Sequence, residues 1–254
     1  MDVTKRFSDR VDDYDRYRPR YPAALATWLE ARGMGAGSPV ADVGAGTGIL
    51  ASLLLAMGCR VRLIDPNLPM LARGRQRLHG EQSASFVCAR AEATALAARS
   101  VDWITAGQAF HWFDQVPARR EFARILRPGG RVLLVWNDHR LEPGFMTDYV
   151  GLMTTWGHDY HRTSFRTRPL DQEVTDFFGG DLERAVFPNT QVLDRDGLVG
   201  RYFSSSYMPA RGAPDHEAAR SAALDLFARH ENEGRVTMIY DTRAFLGRLP
   251  PDGG

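Results

Sequence analysis

The most informative stretch of the chain is residues 40–50, VADVGAGTGIL. It predicts a short apolar strand, then a loop with three alternating glycines, then the first residues of a helix. Glycine accepts backbone conformations that other residues avoid, and it lets a ligand approach the main chain without a Cβ in the way. The stretch therefore predicts a ligand-binding turn between a strand and a helix.

The acid in this stretch, Asp42, comes before the glycine loop. A dinucleotide-binding loop has the pattern G-x-G-x-x-G and places a pyrophosphate at the helix N-terminus, where a nearby carboxylate would repel it. An ammonium group would instead be attracted. This favours a cationic, zwitterionic cofactor such as S-adenosylmethionine (SAM); an aspartate that only stabilises the turn is the alternative. The predicted SAM contacts of the loop are Asp42, Gly44, Ala45, Gly46, Thr47 and Gly48.

A second acid ends the next predicted strand, at residues 60–65. Asp65 lies about 20 residues after the loop, a distance at which a strand-end carboxylate can bind ribose hydroxyls. Pro66 and Met70 open the following predicted helix beside this acid. We expect Asp65 to accept hydrogen bonds from the ribose of SAM and the two apolar residues to cover the adenine, with a place in the hydrophobic core as the alternative for Met70.

Further candidates follow the next three predicted strands, at residues 84–88, 101–106 and 131–136. Ligands in α/β sheets bind outside the carboxyl ends of the strands, so we expect these residues to converge on one crevice. The candidates for the adenine edge are Ala91 and Glu92, the candidate for SAM or substrate is Gln108, and those for the substrate are His111, Trp112, Trp136 and Asn137.

His111 is the candidate catalytic residue of this set. Histidine can remove a proton from a hydroxyl, an amine or a carbon acid near neutral pH. Alternatively, His111 and Trp112 only shape the pocket wall, and a carboxylate acceptor would need no base. For Trp136 the alternative is a place in the core, and for Glu92 a solvated side chain.

The N-terminal segment predicts two short helices with a turn between them, because two prolines restrict the residues before them. We expect this segment to fold over the crevice as a lid. Tyr14 and Arg18 are then candidates to hold the methionine carboxylate of SAM, since a guanidinium binds a carboxylate in a bidentate manner. The alternative for Arg18 is a surface arginine paired with Asp13 or Asp15.

Together these motifs resemble the class I SAM-dependent methyltransferases over residues 40–137. The resemblance rests on the glycine loop, Asp65, the Ala91-Glu92 pair and the segment LRPGG at residues 126–130. The block HWF at residues 111–113 and the tyrosine-rich N-terminal segment are similar to the small-molecule branch, with a methyltransferase type 11 domain, that includes trans-aconitate methyltransferase.

Alternating strands and helices over residues 38–137 predict a parallel sheet with helices on both faces. The resemblance implies an α/β fold with a doubly wound, mostly parallel seven-stranded sheet of Rossmann-like type, whose last strand is antiparallel. We expect a single methyltransferase domain divided into an N-terminal helical lid at 1–34, a SAM-binding core at 35–137, an inserted helical cap at 138–190, and C-terminal strands and helices at 191–254.

The resemblance further implies SAM-dependent methyl transfer to an O, N or C nucleophile of a small-molecule metabolite, with S-adenosylhomocysteine (SAH) as product and no metal. Positioning the acceptor in line with the sulfonium can supply most of the rate acceleration. An NAD(P)-dependent oxidoreductase on a similar sheet and a non-catalytic SAM-binding module are the alternative hypotheses.

Composition agrees with one cytoplasmic α/β domain. The 254 residues are 44% apolar, and the net charge of +1, with no basic stripe, disfavours a nucleic-acid partner. With two cysteines we expect no disulfide framework, which fits a reducing compartment. The longest apolar run, at residues 49–57, is too short to cross a membrane. We expect a monomer or a homodimer.

Two further features lie in the predicted cap. His158 and His161 have the spacing of a shared helix face, but with no third ligand we predict no metal site. Arg162, Arg166 and Arg168 bring positive charge that could face a carboxylated substrate, although a solvated face is the favoured interpretation.

Overall fold

The computed structural model describes residues 10–158, 160 and 170–250. In chain order the strands are β1 Pro39–Val43, β2 Arg60–Ile64, β3 Ala84–Val87, β4 Val101–Gly107, β5 Leu126–His139, β6 Leu182–Leu193 and β7 Val236–Gly247. The α-helices are α1 Val11–Tyr17, α2 Ala23–Glu30, α3 Ile49–Ala56, α4 Leu68–Arg77, α5 Gln115–Ile125, α6 Phe145–Trp156, α7 Leu170–Phe178, α8 Arg195–Phe203 and α9 His216–His230.

One seven-stranded sheet organises the described residues, in the order β3-β2-β1-β4-β5-β7-β6. Strands β1 to β5 pair in parallel, whereas β7 is antiparallel to both β5 and β6. The predicted fold class, a doubly wound and mostly parallel sheet with an antiparallel last strand, is therefore confirmed. The order reverses direction at β1 and β4, and the crevice at that switch point is where ligands bind in such sheets.

Both faces of the sheet are buried, as the sequence of β5 illustrates. Val132 and Leu134 pack on one face with α5 and α7, and Leu133 and Val135 pack on the other face with α2 and α3. Successive side chains of a strand point to opposite faces. A strand with both faces covered is accordingly apolar throughout, and the predicted strands around the crevice have this character.

The predicted cap at residues 138–190 is divided in the structure. Strand β5 extends to His139 and β6 begins at Leu182, so both strands are longer than the sequence pattern indicates. Helix α6 packs with α8, α9 and the first half of β7 in a separate apolar cluster. Helix α7 instead buries Phe177 and Phe178 against the sheet. Of the described helices in this range, α6 therefore packs with the C-terminal helices and α7 packs against the sheet, and the division into a cap stays a prediction. Arg162, Arg166, Arg168 and His161 lie outside the described residues.

The N-terminal lid is held between α4 and α8. Asp15, which is 8% exposed, accepts from Arg73 Nε at 2.9 Å and from Arg77 Nε at 2.6 Å. On the other side the ring of Tyr17 lies against Gly200, where an added Cβ would be 2.1 Å from a ring carbon. The lid thus depends on an ion pair at one edge and on the absence of a side chain at the other.

In the described part of the chain, no helix combines the length and the apolar character that a membrane crossing requires.

Candidate functional site

Two adjoining cavities open at the carboxyl ends of β1, β2, β4 and β5. The outer cavity, about 100 Å³, lies beside the ends of β1 to β4, and the inner cavity, about 30 Å³, lies under the lid beside β5 and α8. The predicted site residues that line the outer cavity are Tyr14, Gly44, Gly46, Asp65, Pro66, Met70, Glu92, Gln108 and Trp112. Those that line the inner cavity are Tyr14, Arg18, Asp42, Gly44, Ala45, Gln108 and Asn137.

The glycine loop forms the floor that the two cavities share. Gly44 has φ +69°, and a Cβ on it would lie 2.4 Å from Ala109 Cβ, so both conformation and space require glycine there. The amides of Gly44 and Ala45 donate to Ile64 O at 2.8 and 3.1 Å, which fixes the loop to the end of β2. The main chain therefore approaches the cavity without a side chain in between.

Asp65 holds the loop and faces the outer cavity. One carboxylate oxygen accepts from the Gly46 amide at 2.9 Å, and the other accepts from the Asn67 amide at 2.8 Å. Burial raises the pKa of Asp65, and these two hydrogen bonds act against that effect. Each carboxylate oxygen has a second lone pair, so the side chain can still accept from a ligand hydroxyl.

Asp42 is fully buried at the end of β1. Its Oδ1 accepts from Thr105 Oγ1 at 2.7 Å, while its Oδ2 is buried with no hydrogen-bond partner in the described structure. Burial raises the pKa of Asp42 to about 7, the hydrogen bond from Thr105 and the nearby Ala51 amide oppose this, and the charge of Asp65 adds to it. A positive group in the inner cavity would therefore stabilise the ionised carboxylate.

The wall of the outer cavity is partly apolar. Met70 Cε lies close to the loop, at 3.3 Å from where a Gly46 Cβ would be, and Pro66 and Trp112 line the cavity beside it. Glu92 is held in place because its Oε1 accepts from the Asp114 amide at 2.9 Å. Flat apolar surfaces beside a fixed acceptor suit an aromatic heterocycle with donor groups at its edge.

Gln108 and Asn137 connect β4 and β5 at the inner cavity. Gln108 has φ +58°, an unusual conformation for a residue other than glycine, and its Nε2 donates to Asn137 O at 3.2 Å. Asn137 Oδ1 accepts from Thr242 Oγ1 at 2.5 Å, and its Nδ2 donates to Arg20 O at 3.4 Å. The predicted substrate residue Asn137 is therefore also the link between the lid and the C-terminal strands.

The lid brings Tyr14 and Arg18 over the inner cavity. The guanidinium of Arg18 lies 4.9 Å from the centre of the Tyr14 ring, and it donates to Ser204 O at 3.0 Å. The alternative pairing with Asp15 is not observed, since Asp15 is bound to Arg73 and to Arg77.

Five predicted site residues lie off these two cavities. Trp136 is fully buried between the rings of Phe110 and Phe245, because it shares the core face of β5 with Val132 and Leu134. Trp136 was expected to contact the substrate, but it occupies the hydrophobic core, which was the alternative. The other four do not line either cavity with their side chains or backbone: the buried residues Thr47, Gly48 and Ala91, and the half-buried His111.

His111 lies on the short 3₁₀ turn Phe110–Trp112 after β4. Its ring centre is 4.5 Å from that of Trp112, which does line the outer cavity. The geometry thus fits a role for His111 in supporting the wall of the outer cavity. Its role as a general base remains a prediction, because His111 lines neither cavity.

Several lining residues are absent from the sequence-based set. Asn67 and Phe113 adjoin motif residues, and their positions beside Asp65 and Trp112 were a usable signal. Gly107 lies where an added Cβ would be 2.5 Å from Tyr21 Oη, so its lack of a side chain makes room for the lid. Arg201 lines the inner cavity from α8 and carries no local sequence signal.

No group of three or more histidine, cysteine or acidic side chains that could hold a metal ion occurs among the residues the structure describes. His158, from the motif considered above, is 2.8 Å from Asp215 Oδ2. The polar groups at the two cavities are thus carboxylates, amides, guanidinium groups and tyrosines.

Comparison with known proteins gives the same fold and a family. The methyltransferase domain family matches residues 41–134. An uncharacterized methyltransferase of Mycobacterium tuberculosis is 41% identical over 142 residues, which are 55% of this chain and 56% of that protein. The chain thus aligns with little more than half the length of this relative. An uncharacterized methyltransferase of Schizosaccharomyces pombe is 29% identical over 260 residues, covering 98% of this chain and 99% of that protein.

A solved structure shares the whole architecture. A proposed type II methyltransferase from Anaeromyxobacter dehalogenans superposes with a TM-score of 0.68 at 24% identity, covering 92% of this chain and all of that one. The glycine loop, the strand order and these matches agree. Residues 41–134 match the methyltransferase domain family, the chain has the methyltransferase fold, and the matches do not single out the trans-aconitate branch.

Proposed function

We propose that this protein transfers the methyl group of SAM to an O, N or C nucleophile of a small-molecule acceptor and releases SAH. The observation that carries the proposal is Asp42, a buried carboxylate with one unpartnered oxygen beside the glycine loop. A buried acceptor without a donor lowers stability by roughly 1–3 kcal/mol. The ammonium group of SAM would supply that donor and a positive charge.

The remaining residues suit the rest of SAM. Asp65 is placed to accept from the ribose hydroxyls while it holds the loop, and Pro66 and Met70 offer an apolar surface to the adenine. Arg18 at the inner cavity is suited to the methionine carboxylate, since its Nε is buried without a hydrogen-bond partner. These assignments use both cavities as one continuous site around Gly44.

The chain's contribution to the reaction would be chiefly positional. SAM supplies an activated methyl group when bound, and transfer needs the nucleophile aligned with it at short distance. Gln108 and Asn137 fix the junction between the cavities, and the lid excludes water above them. Arg18 and Tyr14 belong to that lid, so its closure would also complete the cofactor contacts.

The acceptor in this proposal is small because the inner cavity is narrow and covered by the lid. The near-neutral charge of +1 supports the absence of a nucleic-acid partner. Together with the lack of a long apolar run, it supports a cytoplasmic protein with no membrane partner, which we propose acts as a monomer or a homodimer.

The test is a transfer assay with methyl-labelled SAM and a panel of small hydroxy, amino and carboxylic acids, in which SAH formation is measured. We expect acceptor-dependent SAH formation by the wild type. An Asp42→Asn, Asp65→Ala double variant should lose it together with SAH binding. SAH binding by the wild type with no transfer to any acceptor of a broad panel would support the non-catalytic module instead.

A further inference from the structure

The inner cavity contains a buried cation, Arg201, that has no negative partner in the described structure. Its side chain is on α8, and the residue is 3% exposed. All its hydrogen-bond partners are neutral groups: Nε donates to Tyr240 Oη at 3.1 Å, and one terminal nitrogen donates to Ser205 Oγ at 3.3 Å. The other terminal nitrogen is 3.2 Å from His139 Nε2. A guanidinium only donates, so His139 accepts in this contact and is neutral.

Arg18 brings a second positive charge to the same cavity. Its described hydrogen bond goes to a carbonyl oxygen, that of Ser204, and its Nε is buried with no partner. Arg18 and Arg201 both line this cavity, and burial together with the charge of Arg201 lowers the pKa of Arg18. Of the charged residues that line the cavity, only Asp42 is acidic.

The charges do not balance even with cofactor bound. In the proposed function, which this inference extends, the methionine carboxylate of bound SAH offsets Arg18 and its ammonium offsets Asp42, and SAM adds the further positive charge of its sulfonium. Arg201 then stays buried with a positive charge and neutral partners. A buried charge that lacks a counter-ion is strongly unfavourable. The missing negative charge must come from whatever else binds in the cavity.

We infer that the methyl acceptor carries a carboxylate, which binds Arg201 at the inner cavity while another part of the molecule faces the methyl group. With SAH bound, one excess positive charge matches one singly charged group, and a planar carboxylate matches the planar guanidinium. In the SAH-bound protein a doubly charged phosphate would leave a negative charge uncompensated. Arg201 is therefore a residue for substrate specificity, not a proton acceptor, because a guanidinium keeps its proton.

Tyr149 supplies a second donor beside this charge. The residue is fully buried on α6, and its hydroxyl has no hydrogen-bond partner in the described structure. Burial raises its pKa, and the charge of Arg201 opposes this most strongly of the neighbouring groups. The Tyr149 ring lies 5.4 Å from that of His139, whose Nε2 is 3.2 Å from the Arg201 guanidinium, so Tyr149 is a donor near Arg201 for a carboxylate oxygen.

The inference is tested on SAH-saturated protein by calorimetry with matched pairs of probes: butanoate and butanamide, and benzoate and benzamide. Methyl phosphate tests the other anion. We expect at least one carboxylate to bind, its amide to bind about tenfold more weakly or not at all, and methyl phosphate to bind more weakly than the carboxylate. Equal binding of acid and amide, no binding of any carboxylate, or preference for phosphate would overturn it.

Substitutions then test whether Arg201 is the residue that binds the carboxylate. Arg201→Met should weaken the carboxylate about tenfold or more and leave SAH binding within about twofold, because only the acceptor's anion is lost. The matched control is Arg195→Met, on the same helix with a side chain 68% exposed, which should change neither. If Arg201→Met does not fold, Tyr149→Phe takes its place and should weaken the carboxylate about threefold to tenfold.

The order of measurements separates the two proposals. SAH binding is measured first, and its absence would contradict the proposed function. SAH binding without selective carboxylate binding would contradict only the role of Arg201. An unchanged carboxylate affinity in Arg201→Met would do the same.

Discussion

The outer cavity takes its walls from Tyr14 and from the turns that directly follow β1, β2, β3 and β4, whereas the inner cavity also needs Arg201 of α8, which is distant from them in sequence. The first region is made of local motifs, each a few residues long. The second is made by packing. Under the proposed function, the comparison indicates that the part of the site for ribose and adenine is encoded locally, whereas the inner part depends on tertiary structure.

The two cavities also differ in how completely their charged side chains are hydrogen-bonded. Asp65 in the outer cavity is satisfied by two backbone amides, and Arg18 and Asp42 in the inner cavity each retain a buried atom without a partner. Unsatisfied buried groups mark places where a ligand completes the hydrogen bonding. The following predictions test this division, from the largest expected effect to the smallest.

The largest effect is expected on stability, at Trp136, which lies in the core and not in the site. Trp136→Ala should lower the free energy of unfolding by about 3–5 kcal/mol, because it removes a fully buried indole from the core. Chemical denaturation measures this, and the surviving folded fraction should bind SAH as the wild type does. Trp112→Ala is the matched control, with a smaller stability loss and weaker SAH binding. A stable Trp136→Ala protein that binds SAH poorly would contradict the assignment of Trp136 to the core and indicate a role in the site.

On the cofactor side, Asp65→Ala should weaken SAH binding at least about tenfold, since it removes the acceptor for the ribose and the anchor of the Gly46 amide. Calorimetry of purified variants measures this. Asp102→Ala, which removes a partly exposed acid near the other end of the sheet, should leave SAH binding unchanged. An unaltered affinity in Asp65→Ala would remove the ribose assignment.

The pH dependence should follow Asp42. The pKa of Asp42 in the folded protein is about 7, above its usual value, so folding favours the neutral carboxyl group. The free energy of unfolding should therefore fall as the pH rises from about 4 to about 7. Over about pH 6 to about pH 8 the ionised form should strengthen SAH binding by up to about tenfold. Asp42→Asn should flatten both curves, and Asp102→Asn should flatten neither.

The smallest effect is expected at His111, which lines neither cavity. Once an acceptor is found, His111→Ala should lower turnover by less than about tenfold and leave SAH affinity intact, because the residue supports the wall beside Trp112. A loss of about 100-fold or more with an altered pH–rate profile would assign the general base to His111 after all.

Much of the fold and the cofactor side could be predicted from the sequence because each strand ends in its own motif. Asp42, Asp65 and the glycines needed only local order and the rule that strand ends converge. Trp136 was harder, since β5 is buried on both faces and its apolar run does not distinguish the cavity from the core. Arg201 could not be predicted, because only the packing of α8 over the sheet brings it to the cavity.

The packing of the helices in the predicted cap could not be predicted for a related reason. An amphipathic helix such as α7 has the same pattern whether it covers a sheet or a cavity, so the sequence does not tell which surface Phe177 and Phe178 meet. The structure assigns α7 to the sheet and α6 to the layer with α8 and α9.

The most direct test of the central claim, that the glycine loop with its two acids binds SAM, is isothermal titration of the wild-type protein with SAH, with NADH as the comparison ligand. The account predicts micromolar binding of SAH and no binding of NADH. Binding of NADH without binding of SAH would contradict it, because Asp42 would then lie beside a pyrophosphate and not an ammonium group.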